Sequence, residues 1–329
     1  MGSAAESLAL GIDLGGTKIL STVSDARGRM RSRDHDETPS DEGRDAILRA
    51  IVQSARRALR KAGVEMADLS AVGVGAPGPS NPQTGILHVS PNLPGLRDIP
   101  ITTILRERFG KPVFLINDAN AAALAEYHFG AGRGSACFVY VTVSTGIGGG
   151  VLIDGRLFTG STGGGAEIGH MTIDDKGPPC NCGNVGCWEA LASGTALAKE
   201  AQRLIAKGQR TSMLEHAAGD PEQVDAKVVQ QAAEQGDDLA QLLVARTAHY
   251  LGTGLANLIN IFNPDRIALG GGLIRMGDML VDPATTVARQ RSFQSAFASV
   301  RLTTAELGRN SGVLGAAAHA LRQVAGGGA

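Results

Sequence analysis

Short apolar runs alternate with longer amphipathic stretches along this chain, and glycine-rich or polar turns separate them. The apolar runs have the length of strands, and they predict strands near 8–13, 17–24, 28–36, 71–76, 112–116, 139–143, 266–269 and 299–304. The amphipathic stretches predict helices at 41–62, 188–207, 222–235, 239–262 and 310–324, and an alanine-rich helix begins near 118. Strands alternating with helices indicate a fold of the α/β class.

Two segments repeat one pattern. Residues 8–20 and 139–152 both read as a strand, a glycine-rich turn and a second strand, and a short polar turn follows each. A duplicated unit in a chain of 329 residues predicts two related α/β domains that face one another. We place the N-terminal domain at 1–117, joined by the C-terminal helix at 310–329, and a larger C-terminal domain with the cysteine-rich loop at 118–309.

The composition is that of a soluble globular protein, with 43% hydrophobic and 19% charged residues. A formal net charge of −1 gives no general attraction for nucleic acid or for an anionic membrane. Residues 1–7 have neither a basic nor an apolar part of a signal peptide, and the longest apolar run, 136–143, is too short to span a bilayer. We therefore expect a cytoplasmic protein with no nucleic-acid or membrane partner.

Four possible metal ligands and two carboxylates fall within one segment of 23 residues. They are Glu167, His170, Cys180, Cys182, Cys187 and Glu189. Three thiolates and one imidazole form a closed tetrahedral zinc site, which has no open position for water and is therefore structural. Such a site would fix Glu167 and Glu189 relative to each other. The alternative is three ordinary cysteines and a surface histidine, but three of the four cysteines cluster within eight residues.

The segment Asp13-Leu14-Gly15-Gly16-Thr17-Lys18 lies where the first strand turns sharply. Glycines let backbone N–H groups approach phosphate oxygens, and the Thr17 hydroxyl offers one more hydrogen bond. Asp13, at the strand end, suits a magnesium ion held through water. The spacing matches neither a P-loop nor a dinucleotide-binding fingerprint, and a plain hairpin turn is the alternative.

Two more glycine-rich turns are candidates for nucleotide binding. The turn with Thr145, Gly146, Gly148 and Gly149 would cradle the same phosphates from the other side. Gly271 and Gly272 follow a strand and open a helix, where bare backbone accommodates adenine or ribose. A glycine hairpin and a strand-to-helix turn are the alternatives.

Asp118 lies at the end of one predicted strand and the start of a helix, the usual place for ligand chemistry in α/β proteins. We expect the helix N-terminus to favour its ionised form. An ionised carboxylate there accepts a sugar hydroxyl proton while that oxygen attacks a γ-phosphoryl group. The alternative is an ordinary N-cap aspartate.

Five motifs together resemble the ROK family of sugar kinases and sugar-responsive repressors. They are D-L-G-G-T-K at 13–18, N-D-A-N at 117–120, S-T-G-I-G-G-G at 144–150, E-I-G-H at 167–170 and C-x-C-G-x-x-G-C-x-E at 180–189. The resemblance implies the actin-like (ribonuclease H-like) ATPase fold, with an active-site cleft between two α/β domains. It spans nearly the whole chain, and its motifs follow the family order.

The resemblance also implies a reaction. The chain is most similar to the zinc-motif glucokinases of the family, which use ATP and Mg²⁺ to phosphorylate glucose at the 6-hydroxyl. Asp118 would be the general base, and the zinc would be structural. The implied sugar contacts are Gly78, Asn92, Asn117, Asp118, Glu167, His170 and Glu189. His170 would bind metal through one ring nitrogen and sugar through the other. One departure is Gly165-Ala166, where many members carry alanine-glycine.

Several alternatives stay open within this resemblance. N-acetylmannosamine, N-acetylglucosamine and fructose kinases belong to the same family. A polyphosphate-using glucokinase is disfavoured because the zinc cluster is not typical of that branch. A repressor would need an N-terminal winged helix-turn-helix domain, for which we expect no room before the turn at residue 13. The family tendency implies a homodimer or homotetramer.

Overall fold

The computed structural model describes residues 7–88, 93 and 95–326. Its strands are β1 Leu8–Leu14, β2 Lys18–Asp25, β3 Asp34–Glu37, β4 Leu69–Ala76, β5 Ser80–Asn81, β6 Ile86–Leu87, β7 Val113–Asn117, β8 Cys137–Val143, β9 Ile147–Ile153, β10 Arg156–Leu157, β11 Arg266–Gly270 and β12 Arg301–Thr304. Its helices are α1 Arg44–Ala62, α2 Ile101–Phe109, α3 Asp118–Phe129, α4 Trp188–Ala192, α5 Gly194–Ala206, α6 Met213–His216, α7 Ala226–Glu234, α8 Asp238–Phe262, α9 Asp278–Arg291, α10 Gln294–Ser299 and α11 Ser311–Val324. Among these described helices, none has the length and apolar character needed to cross a membrane.

The first sheet brings the carboxyl ends of three strands to one edge. Its strand order is β3-β2-β1-β4-β7, with β1 and β2 antiparallel and β1, β4 and β7 parallel. Asp13 of β1 pairs with Gly75 of β4. The next residue of β4, Ala76, pairs with Asn117 of β7. The ends of β1 and β7 therefore lie on the same edge, where parallel strands present ligand-binding groups.

The two faces of this sheet carry side chains of different size. Alternate residues of β1 point to opposite faces, and Leu10 and Ile12 lie in the large core cluster that α1 joins. Ala9 belongs to a second cluster with Ala71 and Ala317 of α11. Because this second face is built of small residues, α11 approaches the sheet backbone closely.

A buried carboxylate fixes the start of α11 to α3. Glu126 is fully buried, and its side chain accepts hydrogen bonds from the N–H groups of Ala131, Glu306 and Leu307 at 2.8–3.1 Å. A buried charge is costly unless such donors surround it. Glu126 therefore ties the segment before α11 to the end of α3.

The second sheet repeats the plan of the first. Its strand order is β10-β9-β8-β11-β12, with β8, β11 and β12 parallel and β9 and β10 antiparallel. In both sheets the first strand of the repeat is central, its hairpin partner lies on one side and the parallel strands lie on the other. The structure thus supports the repeat that the sequence predicts at 8–20 and 139–152.

Helix α8 provides the surface that anchors α4. Asp237 caps its start by accepting from Ala240 N–H at 2.8 Å, and Asn263 ends it in a left-handed conformation before Pro264, as predicted. Trp188 of α4 is fully buried, and its Nε1–H donates to Tyr250 O at 3.0 Å. A side chain at Gly254 would collide with the indole ring. The tryptophan therefore seats α4 directly on α8.

The chain divides into two compact units. The first unit consists of 1–135, 150–166 and 305–329, and the second consists of 136–149 and 167–304. The first unit continues beyond the predicted boundary at 117 because α3 packs on α11. The C-terminal helix α11 belongs to the first unit.

Several predicted elements differ in their bounds. The predicted helix 188–207 is two helices, because Ser193 interrupts it and caps α5 by accepting from Ala196 N–H at 3.1 Å. The predicted strand 28–36 is shorter and begins only at Asp34. The sequence gives no prediction of α2, or of α9, which contains Pro283. Proline is a strong signal against a helix, and tertiary packing overrides it here.

Candidate active site

Asp118 and Asn117 occupy the junction between β7 and α3. The side-chain oxygen of Asn117 caps the helix by accepting from Ala119 N–H at 3.0 Å and Asn120 N–H at 3.1 Å. Asp118 is the first helical residue, and its Oδ1 accepts from Ala119 N–H at 2.8 Å. The capping role considered for Asp118 therefore belongs to its neighbour. The Nδ2 group of Asn117 takes no part in the cap.

Asp13 and Asp118 form an acidic pair within the first unit. Burial, and then the negative charge of Asp118, raise the pKa of Asp13 from 3.8 to about 7. Burial also raises the pKa of Asp118, against the lowering effect of the Ala119 N–H. Both side chains keep some exposed surface, but the atoms around them remove most of their hydration. The backbone N–H groups at the helix start lower the pKa of Asp118, as predicted, but desolvation outweighs them and the net shift is upward.

Gly312 of α11 lies against Asp13, one member of this pair. A methyl group on Gly312 would stand 2.7 Å from Asp13 Oδ2 and 3.0 Å from Asp13 Cγ. Contacts under 3.0 Å to a carbon require one group to move, so only glycine fits beside the carboxylate in this arrangement. Gly312 is not predicted from the sequence because nothing near it in the chain resembles a motif.

The turn that follows Asp13 is tied down through its carbonyl groups. Gly15 N–H donates to Lys18 O at 2.9 Å, and the Thr38 hydroxyl donates to Gly15 O at 2.8 Å. Thr38 N–H donates to Thr17 O at 3.0 Å. Thr17 and Lys18 are exposed, and Gly16 is half-buried at the tip. The hairpin is therefore a fixed turn that presents Thr17 and Lys18 to solvent.

The second glycine-rich turn lies between β8 and β9 and is held by backbone hydrogen bonds. Ser144 N–H donates to Gly146 O at 2.8 Å and closes the turn. Gly194 N–H donates to Ser144 O at 2.7 Å, and Thr195 N–H donates to Thr145 O at 3.3 Å. The start of α5 therefore holds this turn in place.

The other predicted nucleotide-binding glycines surround this turn. Gly148 and Gly149 lie in β9. Gly271, in a left-handed conformation with φ 93°, would collide with Val143 O if it carried a side chain, and a methyl group on Gly272 would be 3.5 Å from Ser144 Oγ. The structure thus brings the two predicted segments together. The helix expected to open at Gly272 is only a short 3₁₀ turn, Leu273–Met276, so it offers no full helix N-terminus.

The predicted metal ligands lie together in one tight knuckle. The ligand atoms of His170, Cys180, Cys182 and Cys187 all lie within 4.8 Å of one another. Cys180 N–H donates to Asn184 O at 2.7 Å and closes the loop, while Gly183 and Gly186 adopt the left-handed conformations that its turns require. The local sequence therefore builds the cluster with little help from distant residues.

The spacing of these four groups fits a tetrahedral metal. Cys182 Sγ and Cys187 Sγ are 3.7 Å apart, and Cys180 Sγ lies 3.7 Å from His170 Nδ1. A zinc ion with bonds of about 2.3 Å to sulfur separates two tetrahedral sulfurs by about 3.8 Å. Burial and the neighbouring thiols raise the pKa of Cys187 to about 12, so a cation is needed to keep these thiols ionised together. Both the geometry and the donor set suit Zn²⁺.

The carboxylates that flank the cluster lie next to the second glycine-rich turn. Glu189 Oε2 accepts from Ile147 N–H at 2.9 Å. A side chain on Gly169, between Glu167 and His170, would collide with Ile147 O. The cluster of four possible metal ligands, the E-I-G-H segment and the turn are therefore contiguous within the second unit. Ile147 is not predicted from the sequence, because it contributes only a backbone N–H.

The departure at Gly165-Ala166 has a conformational consequence. Ala166, directly before Glu167, adopts φ 63°, a left-handed conformation that glycine enters freely and alanine does not. Of the remaining predicted sugar contacts, Gly78 follows β4 in a left-handed bend with φ 85°. Asn92 lies outside the described residues.

The ROK family model matches residues 9–323, nearly the whole chain. The chain belongs to the ROK family. A glucokinase of Thermotoga maritima is 37% identical over 94% of this chain and 95% of its own length. A ROK hexokinase structure from Thermus thermophilus is 40% identical, with a TM-score of 0.81 over 97% of this chain and 99% of that one. A ROK glucokinase structure from Streptomyces griseus, in complex with glucose and AMPPNP, is 34% identical, with a TM-score of 0.82 over 96% and 100% of the two chains.

This ROK chain therefore has the actin-like sugar kinase fold that the resemblance implies. The proteins that are similar to this chain also include transcriptional repressors. A xylose repressor of Caldicellulosiruptor bescii is 30% identical over 93% of this chain, which covers 76% of the repressor.

Proposed function

We propose that this protein is an ATP-dependent hexose kinase that transfers the γ-phosphoryl group to the 6-hydroxyl, with glucose as its preferred acceptor. The observation that carries the proposal is Asp118, a carboxylate at the β7–α3 junction whose pKa is raised by burial beside a second acid, Asp13. The glucokinase and hexokinase relatives match over almost their full length, which supports the same chemistry here.

Asp118 is the proposed general base. Its ionised carboxylate accepts the proton of the sugar 6-hydroxyl as that oxygen bonds to the γ-phosphorus. The bond from the γ-phosphorus to the bridging oxygen breaks, and ADP leaves with the bond electrons. A carboxyl with a raised pKa is a stronger base than an ordinary aspartate, and general bases work best when their pKa lies near the working pH.

Asp13 is the proposed partner of the magnesium ion that accompanies ATP. Two neighbouring carboxylates repel each other, and a divalent cation beside them relieves that repulsion. When bound, the ion neutralises charge on the phosphates. Asp13 would hold it through water, and Gly312 leaves the room that the carboxylate needs.

The glycine-rich turns are the proposed phosphate and nucleoside contacts. Gly15, Gly16, Thr17 and Lys18 would serve from the first unit. Thr145, Gly146, Gly148, Gly149, Gly271 and Gly272 would serve from the second unit. Backbone N–H groups in such turns bind phosphate oxygens without a charged side chain.

The proposed sugar contacts divide between the β7–α3 junction and the metal cluster. Asn117 has an Nδ2 donor outside its capping bonds. His170 faces the cysteines with Nδ1, and its Nε2 would face the sugar. Glu167, Glu189 and Gly78 would complete the set. His170, Cys180, Cys182 and Cys187 would hold the proposed Zn²⁺, which would fix the orientation of His170 and would take no part in phosphoryl transfer.

An assay of sugar phosphate formation, run across a panel of sugars and phosphoryl donors, tests this proposal. The panel pairs glucose, fructose, N-acetylmannosamine and N-acetylglucosamine with ATP and with polyphosphate. We expect the highest kcat/KM with glucose and ATP, and a product oxidised by glucose-6-phosphate dehydrogenase. A higher kcat/KM with an acetamido sugar or fructose would reassign the substrate. Sugar-dependent DNA retention without turnover would replace the kinase with a regulator like the xylose repressor.

A further inference from the structure

Glu189 is bonded to the backbone of the second glycine-rich turn. Its Oε2 accepts from Ile147 N–H at 2.9 Å, and a side chain on Gly146 would collide with the same oxygen. Glu189 belongs to the first turn of α4, two residues after the metal ligand Cys187. The carboxylate therefore spans the gap between the metal knuckle and the turn at 144–147.

The bond from Glu189 is one of several that fix this turn from the same side. The α5 N–H groups of Gly194 and Thr195 donate to Ser144 O and Thr145 O. These two contacts hold the turn by its carbonyl oxygens, whereas the Glu189 carboxylate accepts from one of its N–H groups. The turn contains Gly146 and continues into Gly148, Gly149 and Gly150, and glycines lose more conformational entropy than other residues when they become ordered. A carboxylate acceptor at the end of the turn, where β9 begins, reduces that cost before a ligand arrives.

We propose that Glu189 is a positioning residue for the nucleotide, which holds the turn at 144–147 in the conformation that receives ATP phosphates. This inference rests on the proposed function, in which that turn contacts the phosphates. Oε2 serves the turn, and Oε1 is the atom left for the proposed sugar contact. One side chain thus connects the metal knuckle, the sugar and the nucleotide turn.

The energetic size of this effect is measurable. A hydrogen bond to a charged group contributes about 1.5–3 kcal/mol. If half of the smaller value supports the nucleotide-binding conformation, the affinity for nucleotide changes about threefold; if all of it does, the change is about tenfold. Substitution of a residue that contacts only the sugar would leave the affinity for nucleotide unchanged when sugar is absent.

The experiment measures the Kd of a non-hydrolysable ATP analogue with Mg²⁺, by calorimetry and without any sugar. Glu189→Ala removes the acceptor, and we expect the Kd to rise about tenfold. Glu189→Gln keeps a side-chain oxygen that accepts from Ile147 N–H, and we expect a rise of about threefold or less. If Glu189→Ala does not fold, Glu189→Asp replaces it, because its carboxylate is one methylene too short. Metal content of each variant confirms that the knuckle is intact.

The matched control is Glu200→Ala. Glu200 lies in the neighbouring helix α5 and pairs with Arg203 and Arg246 at 2.7 and 2.8 Å, away from the turn. An unchanged Kd in Glu200→Ala is expected. An unchanged Kd in Glu189→Ala would overturn the inference and leave Glu189 as a sugar contact alone.

A further variant separates this inference from the proposed function. Thr145→Val removes the turn hydroxyl and leaves the Glu189 bond to Ile147. A higher Kd in Thr145→Val together with an unchanged Kd in Glu189→Ala would refute this inference and leave the proposed function intact. An unchanged Kd in both variants refutes the assignment of phosphates to this turn, and with it the inference.

Discussion

Asp13 Oδ2 lies 2.7 Å from the point where a methyl group on Gly312 would stand. The two residues belong to the first strand and the last helix of the first unit. The Asp13 carboxylate thus lies against the backbone at the start of α11. The absence of a side chain at 312 sets how closely they approach.

Gly312→Ala should lower activity without lowering stability. Alanine favours a helix over glycine by about 1 kcal/mol, so the free energy of unfolding should stay level or rise. The added methyl pushes Asp13 aside, and we expect kcat/KM for ATP to fall at least tenfold. A double-mutant cycle with Asp13→Asn provides the control, because the cost of the methyl should shrink when Asp13 is already changed. Fully additive effects would contradict a role for Gly312 through Asp13.

Asp118→Asn should retain sugar binding and lose turnover by about 10²–10⁴-fold, the usual contribution of a general base. The wild-type pH profile supplies a second measurement. Because burial raises the pKa of Asp118 above 3.8, the fall of kcat/KM on the acid side should lie at higher pH than for an ordinary aspartate. Activity falls as the pH drops, since protonation removes the base. The control is the exposed Asp41→Asn, and near-normal kcat in Asp118→Asn would exclude the base assignment.

Cys182→Ser should release the metal and weaken sugar binding. Cys182 is the exposed member of the knuckle, so the substitution creates no buried cavity. We expect zinc content near zero, a lower melting temperature and a higher KM for glucose, because His170 loses its fixed orientation. Cys137→Ser is the control, since that thiol lies outside the cluster. A variant that is both zinc-free and fully active would refute the structural role of the metal.

Ala166→Gly should stabilise the protein. A left-handed alanine costs about 1–2 kcal/mol, and glycine adds about 0.4–1 kcal/mol of unfolded-state entropy, so the net gain is about 0.5–1 kcal/mol. Ala218→Gly, at φ 52° away from the metal cluster, should give a similar gain. Ala198→Gly, inside helix α5, should cost about 1 kcal/mol instead. Thermal unfolding of the three variants tests this, and equal losses in all of them would show that position 166 is unstrained.

Local features were predictable from the sequence, and features that depend on distant contacts were not. The metal knuckle was predictable because its turns, Gly183 and Gly186, lie between its own ligands. The strand-to-helix position of Asp118 was equally clear. The rise in the pKa of Asp118 was not predictable, because its burial depends on residues such as Asp13 that lie far away in the sequence. Gly312 and the bond from Glu189 to Ile147 involve backbone atoms, which carry no sequence signal.

The small-residue face of the first sheet has a consequence for biosynthesis. Gly73 and Gly315 each leave no space for a side chain where α11 meets β4 and α3, so this helix is fitted closely to elements made far earlier. A ribosome releases α11 only after every residue of the second unit. The synthesis of the first unit therefore begins first and ends last. The face of its sheet that α11 covers stays exposed to solvent until α11 has been synthesised.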